Sequence, residues 1–300
     1  MQFIIAEHKV EVMSTNKKVD IISLVPSLKP FIYNNVKEEA AKEGEKDKPQ
    51  LSIVIDNDMP LATDYREIGD FDTGNGHTKV EKKDDTGEYQ FTIRNIEEKE
   101  VCWLKTNADY SECRCRLQGN SMQQSYGINS VLMLCFAFAT ASKQTLLIHA
   151  SCVKKGDYAY AFIAKSGTGK STQVSNWLKH IPGCELLNDD NPIVRIINGK
   201  AFIFGSPWSG KTPCYRNRKA YLGAITRIER AQENSVRKLA PVEAFTSLLP
   251  SCSTMKWESK LYNDVMDTIS KIVETSCIYT LCCLPDRESA IVCSKGISKD

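Results

Sequence analysis

Short apolar runs separated by turn clusters fill the first part of the chain: Ile4-Ile5, Val10-Glu11-Val12, Leu51–Ile55 (LSIVI), Tyr89–Ile93 (YQFTI) and Val101–Leu104 (VCWL). Their period of about two residues predicts strands, and residues 1–122 read as a β-rich N-terminal domain. Between them Lys37–Lys48 (KEEAAKEGEKDK) carries dense charge with few large apolar residues, which predicts a solvated loop or an exposed frayed helix. Asp70–Gly74 has the acidic look of a calcium loop, but no Gly or distal Glu falls in register, and it reads as a turn.

From Gln123 to Ser142 the period changes. Ile128, Val131, Leu132, Leu134, Cys135, Phe138 and Ala139 recur at helical spacing, which predicts a buried helix linking the two halves. Thr145–Val153 (TLLIHASCV), a Lys-Lys-Gly-Asp turn and Tyr158–Ala164 (YAYAFIA) then read as a hairpin. Ser171–Ile181, Pro241–Leu249 and Lys260–Val273 read as helices, and Cys277–Cys283 as a strand. Residues 123–300 therefore form an expected second, α/β domain that includes the linking helix.

Composition narrows the class. With 42% hydrophobic and 25% charged residues the chain is an ordinary globular one, neither disordered nor fibrous. The 39 basic and 37 acidic residues leave a net charge of +2, which gives no reason to expect nucleic acid as a partner. The halves differ: residues 1–150 hold 18 Lys+Arg against 23 Asp+Glu, and residues 151–300 hold 21 against 14. A basic second half suits a small phosphorylated ligand. Val131–Ala141, the longest apolar stretch, falls short of the ~20 residues of a membrane span. Met1–Val10 has no basic leader, and the twelve cysteines lack paired C-x-x-C spacing. A cytoplasmic location with reduced thiols is the expectation, and homo-oligomerisation is allowed but not required.

Ala164-Lys165-Ser166-Gly167-Thr168-Gly169-Lys170-Ser171 matches the phosphate-binding loop except that Ala replaces the first Gly. An apolar strand enters it and a helix leaves it, the context in which free amides and a helix N-terminus converge on phosphate oxygens. Lys165 to Thr172 are the expected nucleotide-binding residues, with Lys170 reaching the β and γ phosphates of ATP and Ser171 holding Mg²⁺. Gly205–Thr212 (GSPWSGKT) matches the same consensus to the letter. Pro207 removes an amide from that cradle, however, and no helical period follows Pro213, so the segment reads as a rigid loop. Trp208, Lys211, Tyr215 and Arg216 are its candidate substrate contacts, and a plain surface turn with a satisfied Trp weighs equally. Asp189 and Asp190 end the next strand and can divide metal binding and proton acceptance between them. His149, in the first hairpin strand, is placed to reach a carboxylate or a phosphate.

In this order, His149-Ala150-Ser151, the hairpin, Lys165–Ser171, a helix and Leu187-Asn188-Asp189-Asp190 resemble the HPr serine kinase/phosphorylase family and its relatives in the phosphoenolpyruvate-carboxykinase-like group of phosphate-loop proteins. The resemblance covers residues 145–195. It implies a mixed-sheet phosphate-loop domain, Asp189 as general base toward a serine hydroxyl, Asp190 beside it near the metal, and His149 as partner of the acid pair. Gly205–Arg216, Leu248–Cys252 (LLPSC) and Cys283–Arg287 (CLPDR) are similar to a bacterial subgroup of HPr-kinase-like proteins. The Glu-x-Arg-Gly-type signature of true HPr kinases is replaced here by Gly205–Thr212 and Tyr215–Lys219, so the resemblance leaves open whether HPr itself is the acceptor. The expected activity is transfer of the ATP γ-phosphoryl group to a hydroxyl of a small protein, peptide or metabolite. A nucleotide-gated partner-binding module and, further off, a carboxykinase-like lyase are the alternatives.

Overall fold

In the computed structural model, residues 1–16, 19–33 and 48–299 are described; most of the charged Lys37–Lys48 stretch lies outside them. The chain divides into two units, Met1–Ala139 and Thr140–Asp300.

The first unit is built on period-two alternation. Strands β1 (Gln2–Ile5), β2 (His8–Ser14), β3 (Leu51–Ile55), β4 (Arg66–Asp72), β5 (Gly76–Lys82), β6 (Tyr89–Asn95), β7 (Glu100–Thr106) and β8 (Glu112–Leu117) form one mixed sheet, ordered β1-β2-β3-β8-β7-β6-β5-β4. Pairing is parallel at β2/β3 and β3/β8 and antiparallel elsewhere. Alternate residues such as Leu51, Ile53 and Ile55 are buried, as the pleat requires. Helix α1 (Ile21–Leu24) is a single turn; of the turn expected over Asp70–Gly74, Asp70–Asp72 belong to β4 and the chain reverses between Asp72 and Gly76, where the Asp72 carboxylate accepts from the Gly74 amide.

Helix α2 (Ser121–Ala139) corrects the expected boundary at residue 122. It buries Ile128, Val131, Leu132 and Cys135 and packs on β3, β6, β7 and β8, so it completes the core of the first unit and is not part of the second. No helix among the described residues is long and apolar enough to cross a membrane.

The second unit holds β9 (Thr145–Leu147), β10 (Ala150–Lys155), β11 (Tyr158–Ile163), α3 (Lys170–His180), β12 (Cys184–Asp190), β13 (Ile193–Ile197), β14 (Lys200–Phe204), β15 (Lys219–Arg230), β16 (Ser235–Lys238), α4 (Pro241–Leu248), α5 (Ser259–Thr275), β17 (Cys277–Cys283) and α6 (Arg287–Ile297). Its sheet runs β12-β10-β11-β15-β14-β13-β9, with β17 also beside β15 and β16 beside β17. β11, β15 and β17 are parallel, and β12 shares their direction because it lies antiparallel to β10. The chain is thus mixed α/β with two mixed sheets.

Helices α3 and α6 cover one face over a core of Tyr160, Phe162, Trp177, Ile228, Leu281 and Cys293. Helix α5 packs on β9, β13, β14 and β17. The expected single strand over Thr145–Val153 is broken at Ile148-His149. Ile148 N donates to Pro192 O and His149 N to Ser251 O, so the chain leaves β13 there and crosses to pair with β11 and β12. His149 is therefore not a strand residue. It sits exposed in the break, level with the carboxyl ends of β11 and β12.

Candidate active site

Three parallel-running strands deliver their carboxyl ends to one edge: β11 feeds residues 164–169, β12 ends in Asp189-Asp190, and β15 ends in Arg227–Arg230. Such an edge is where open α/β sheets bind ligands. The loop after β11 turns into α3 at Lys170, with Gly169 as its N-cap. Gly167 and Gly169 have φ of +74° and +131°, and a Cβ at either would meet nothing within 4 Å. Backbone conformation, not crowding, calls for glycine here, and the space above the loop is open. The first amides of α3 point into that space, as helix geometry demands. Ser171 and Thr172 are exposed on its first turn.

Lys170 lies across the loop mouth. Its Nζ donates to Ala164 O at 3.2 Å and sits 2.9 Å from His149 Nε2. His149 Nδ1 lies 3.1 Å from Asp190 Oδ1. Lysine can only donate, so Nε2 must accept; a neutral His149 with its proton on Nδ1 then satisfies both contacts. The result is a chain from ammonium through imidazole to carboxylate. Burial lowers the Lys170 pKa below the ordinary 10.5, while Asp190 and then Asp189 pull it upward.

The two acids are not equivalent. Asp189 is 5% exposed: Ser151 Oγ donates to its Oδ1 at 2.8 Å and the Thr212 amide to its Oδ2 at 3.2 Å. Its carboxylate is taken up by the protein. Asp190 is open to solvent for about a third of its side chain, and its Oδ2 accepts from Asn191 Nδ2 at 2.6 Å. Its φ of +146° is a strained backbone for a non-glycine residue, held by the bridge between Asp190 and Ser209. The resemblance implied Asp189 as the base and Asp190 as its neighbour; burial reverses the order of access.

The Gly205–Thr212 segment is followed by irregular chain, not a helix, as Pro207 and Pro213 led us to expect. It forms a wall behind the acids: Gly210 N and Ser209 Oγ donate to Asp189 O. Asn188, fully buried, donates to Ser206 Oγ at 3.1 Å and Trp208 O at 3.0 Å and accepts from Asn191 N. Of the four candidate substrate contacts, Trp208 is turned into the core at 3% exposure and is withdrawn from any ligand. Arg216 pairs with Glu185 at 2.5 Å, with Arg218 on the same carboxylate at 3.2 Å. Lys211 and Tyr215 are exposed.

Arg230 belongs to no motif in the sequence, yet its guanidinium donates to Gly167 O at 2.6 Å and Thr168 O at 3.4 Å and so braces the glycine loop. Ser151, Asn188 and Asn191 likewise enter the site through hydrogen bonds that no spacing in the sequence marks. The charged end of β15, Thr226-Arg227-Ile228-Glu229-Arg230, was the available signal for Arg230, since cations at a strand's carboxyl end beside a phosphate loop are placed for anions. No protein-family model and no curated protein matches the chain.

Proposed function

We propose that this protein is an ATP- and Mg²⁺-dependent phosphotransferase that moves the γ-phosphoryl group to a hydroxyl, serine of a small protein or peptide or a metabolite alcohol. The carrying observation is the Lys170–His149–Asp190 chain at the mouth of the Lys165–Ser171 loop. The loop amides, the α3 N-terminus and Lys170 bind the polyphosphate. Asp190, rather than the buried Asp189, accepts the proton of the acceptor hydroxyl, and His149 fixes the carboxylate's position. The hydroxyl oxygen bonds to the γ phosphorus, and the bond from that phosphorus to the bridging oxygen breaks with its electron pair leaving on the nucleoside diphosphate. Lys170 and the loop amides stabilise the charge that develops there.

The residues fit a substrate-borne magnesium ion. No group of three metal-ligating side chains exists among the described residues, and Mg²⁺ keeps waters and phosphate oxygens as ligands and needs one or two protein oxygens at most. The Ser171 hydroxyl, exposed on the first turn of α3, would hold it; bound there it would neutralise phosphate charge. Cytoplasmic location and the likeness to HPr-kinase-like proteins belong to the same proposal.

The test is label transfer from γ-labelled ATP to proteins and small molecules of the source cell. Wild-type protein should label a specific acceptor. Lys170→Ala and Asp190→Asn should each lower labelling at least about a hundredfold, the scale of losing an acid–base or charge-stabilising group. Unchanged labelling by both variants overturns the proposal, and ATP binding without any transfer would favour the nucleotide-gated module.

A further inference from the structure

On the β15 side of the phosphate loop lies an open cavity of about 480 Å³, lined by Lys165–Thr168 and Arg227–Arg230. The Gly205–Thr212 wall and the His149–Asp190 pair occupy the β12 side. A nucleotide whose phosphates rest on the loop with the terminal one toward Asp190 must send its other end across to β15. The cavity's chemistry matches what arrives there. Arg227 and Glu229 lie 3.2 Å apart, each nearly half exposed, and Arg230 is anchored to the loop carbonyls at the same edge. Guanidinium planes stack on aromatic rings, and a carboxylate accepts from vicinal hydroxyls. A second polyanion is the poorer occupant, because Glu229 sits among the cations.

The geometry points to the Arg227–Arg230 cavity as the seat of the nucleoside, with the base against the Arg227 guanidinium and the ribose hydroxyls donating to Glu229. This rests on the phosphate-loop reading above, and it adds the element that distinguishes a nucleotide from bare polyphosphate. Arg230 acts differently: it holds the loop that receives the phosphates.

The experiment is equilibrium titration of full-length protein with MgATP and, separately, with magnesium tripolyphosphate. Wild type should prefer ATP by at least about tenfold, the scale of one stacking or charge-assisted contact. Arg227→Ala and Glu229→Gln should each lose most of that preference while keeping wild-type affinity for tripolyphosphate, which also serves as the check that the variants are folded. Equal wild-type affinity for the two ligands, or a preference that survives both substitutions, overturns the nucleoside seat and leaves the phosphate loop standing. Variants that lose both ligands together assign Arg227 and Glu229 to phosphate binding and also overturn it. Failure of the wild type to bind either ligand ends the phosphate-loop reading itself, and this inference with it.

Discussion

Asp189 and Asp190 are neighbours in sequence, yet their surroundings give them different work. Adjacent strand residues point to opposite faces, so one carboxylate enters the core and the other the mouth of the loop. The buried one is useful only while its oxygens are satisfied. Ser151→Ala removes the hydroxyl that donates to Asp189 Oδ1, and a buried acceptor left short costs about 1–3 kcal/mol. Urea unfolding should show a loss of that size, with any transfer activity proposed for Asp190 retained in the folded fraction. No change in the unfolding midpoint would mean the Ser151 contact contributes nothing. His149 shows how a single break in a strand changes a residue's meaning. Within TLLIHASCV it looks like a polar residue in an apolar strand; the crossing from β13 to β11 and β12 at Ile148-His149 brings the imidazole out beside Lys170.

At the scale of elements, the phosphate loop is defined by what enters and leaves it. The strand, the two glycines and the amphipathic run after Lys170 all point to the same local structure, and β11 and α3 form as that agreement requires. Gly169 sets the geometry at the start of α3. In Gly169→Ala the new Cβ meets nothing within 4 Å, so the cost is the φ of +131° alone, about 1–3 kcal/mol. That strain can be relieved by moving the loop. Tripolyphosphate affinity should therefore fall about tenfold or more while the melting temperature changes by only a few degrees. A large drop in melting temperature with affinity intact would contradict this account. The Gly205–Thr212 match shows the converse: eight letters fit the consensus, but two prolines and the following polar run deny it a helix, and it becomes the support behind Asp189. Strands β4, β5, β8 and β13 to β16 were less legible than β3 or β17. Their runs mix charge with apolar residues, as in Arg66–Asp72 and Ser235–Lys238, and only pairing with neighbours fixes them.

Across the whole molecule, each unit closes its own core. The apolar stripe of α2 reads equally well as covering either half, and only the sheet it packs on decides; the sequence pattern carries a helix's face but not its destination. The twelve cysteines are all free and nine of them are buried, with Cys152 and Cys293 pushed well up by burial, so the buried ones act as small core side chains. The charge imbalance between the halves has a local cause as well, because Lys165, Lys170, Arg227 and Arg230 gather at the edge where the three strands end. The mixed α/β class, the strand and helix on either side of residues 164–169 and the place of Asp189-Asp190 at a strand end were readable as residues in order. Which acid is open, what braces the loop and what flanks it depend on register between strands distant in sequence, such as Ala150 with Asp190 and Ile163 with Arg227.

If Lys170, joined through His149 to Asp190, receives a nucleotide's phosphates as proposed, calorimetric titration of MgATP will separate wild type from Lys170→Ala. Wild type should bind saturably at one site, Lys170→Ala at least about tenfold more weakly, and Asp190→Asn with near-wild-type affinity. Equal binding by wild type and Lys170→Ala, or no binding by wild type, would contradict it.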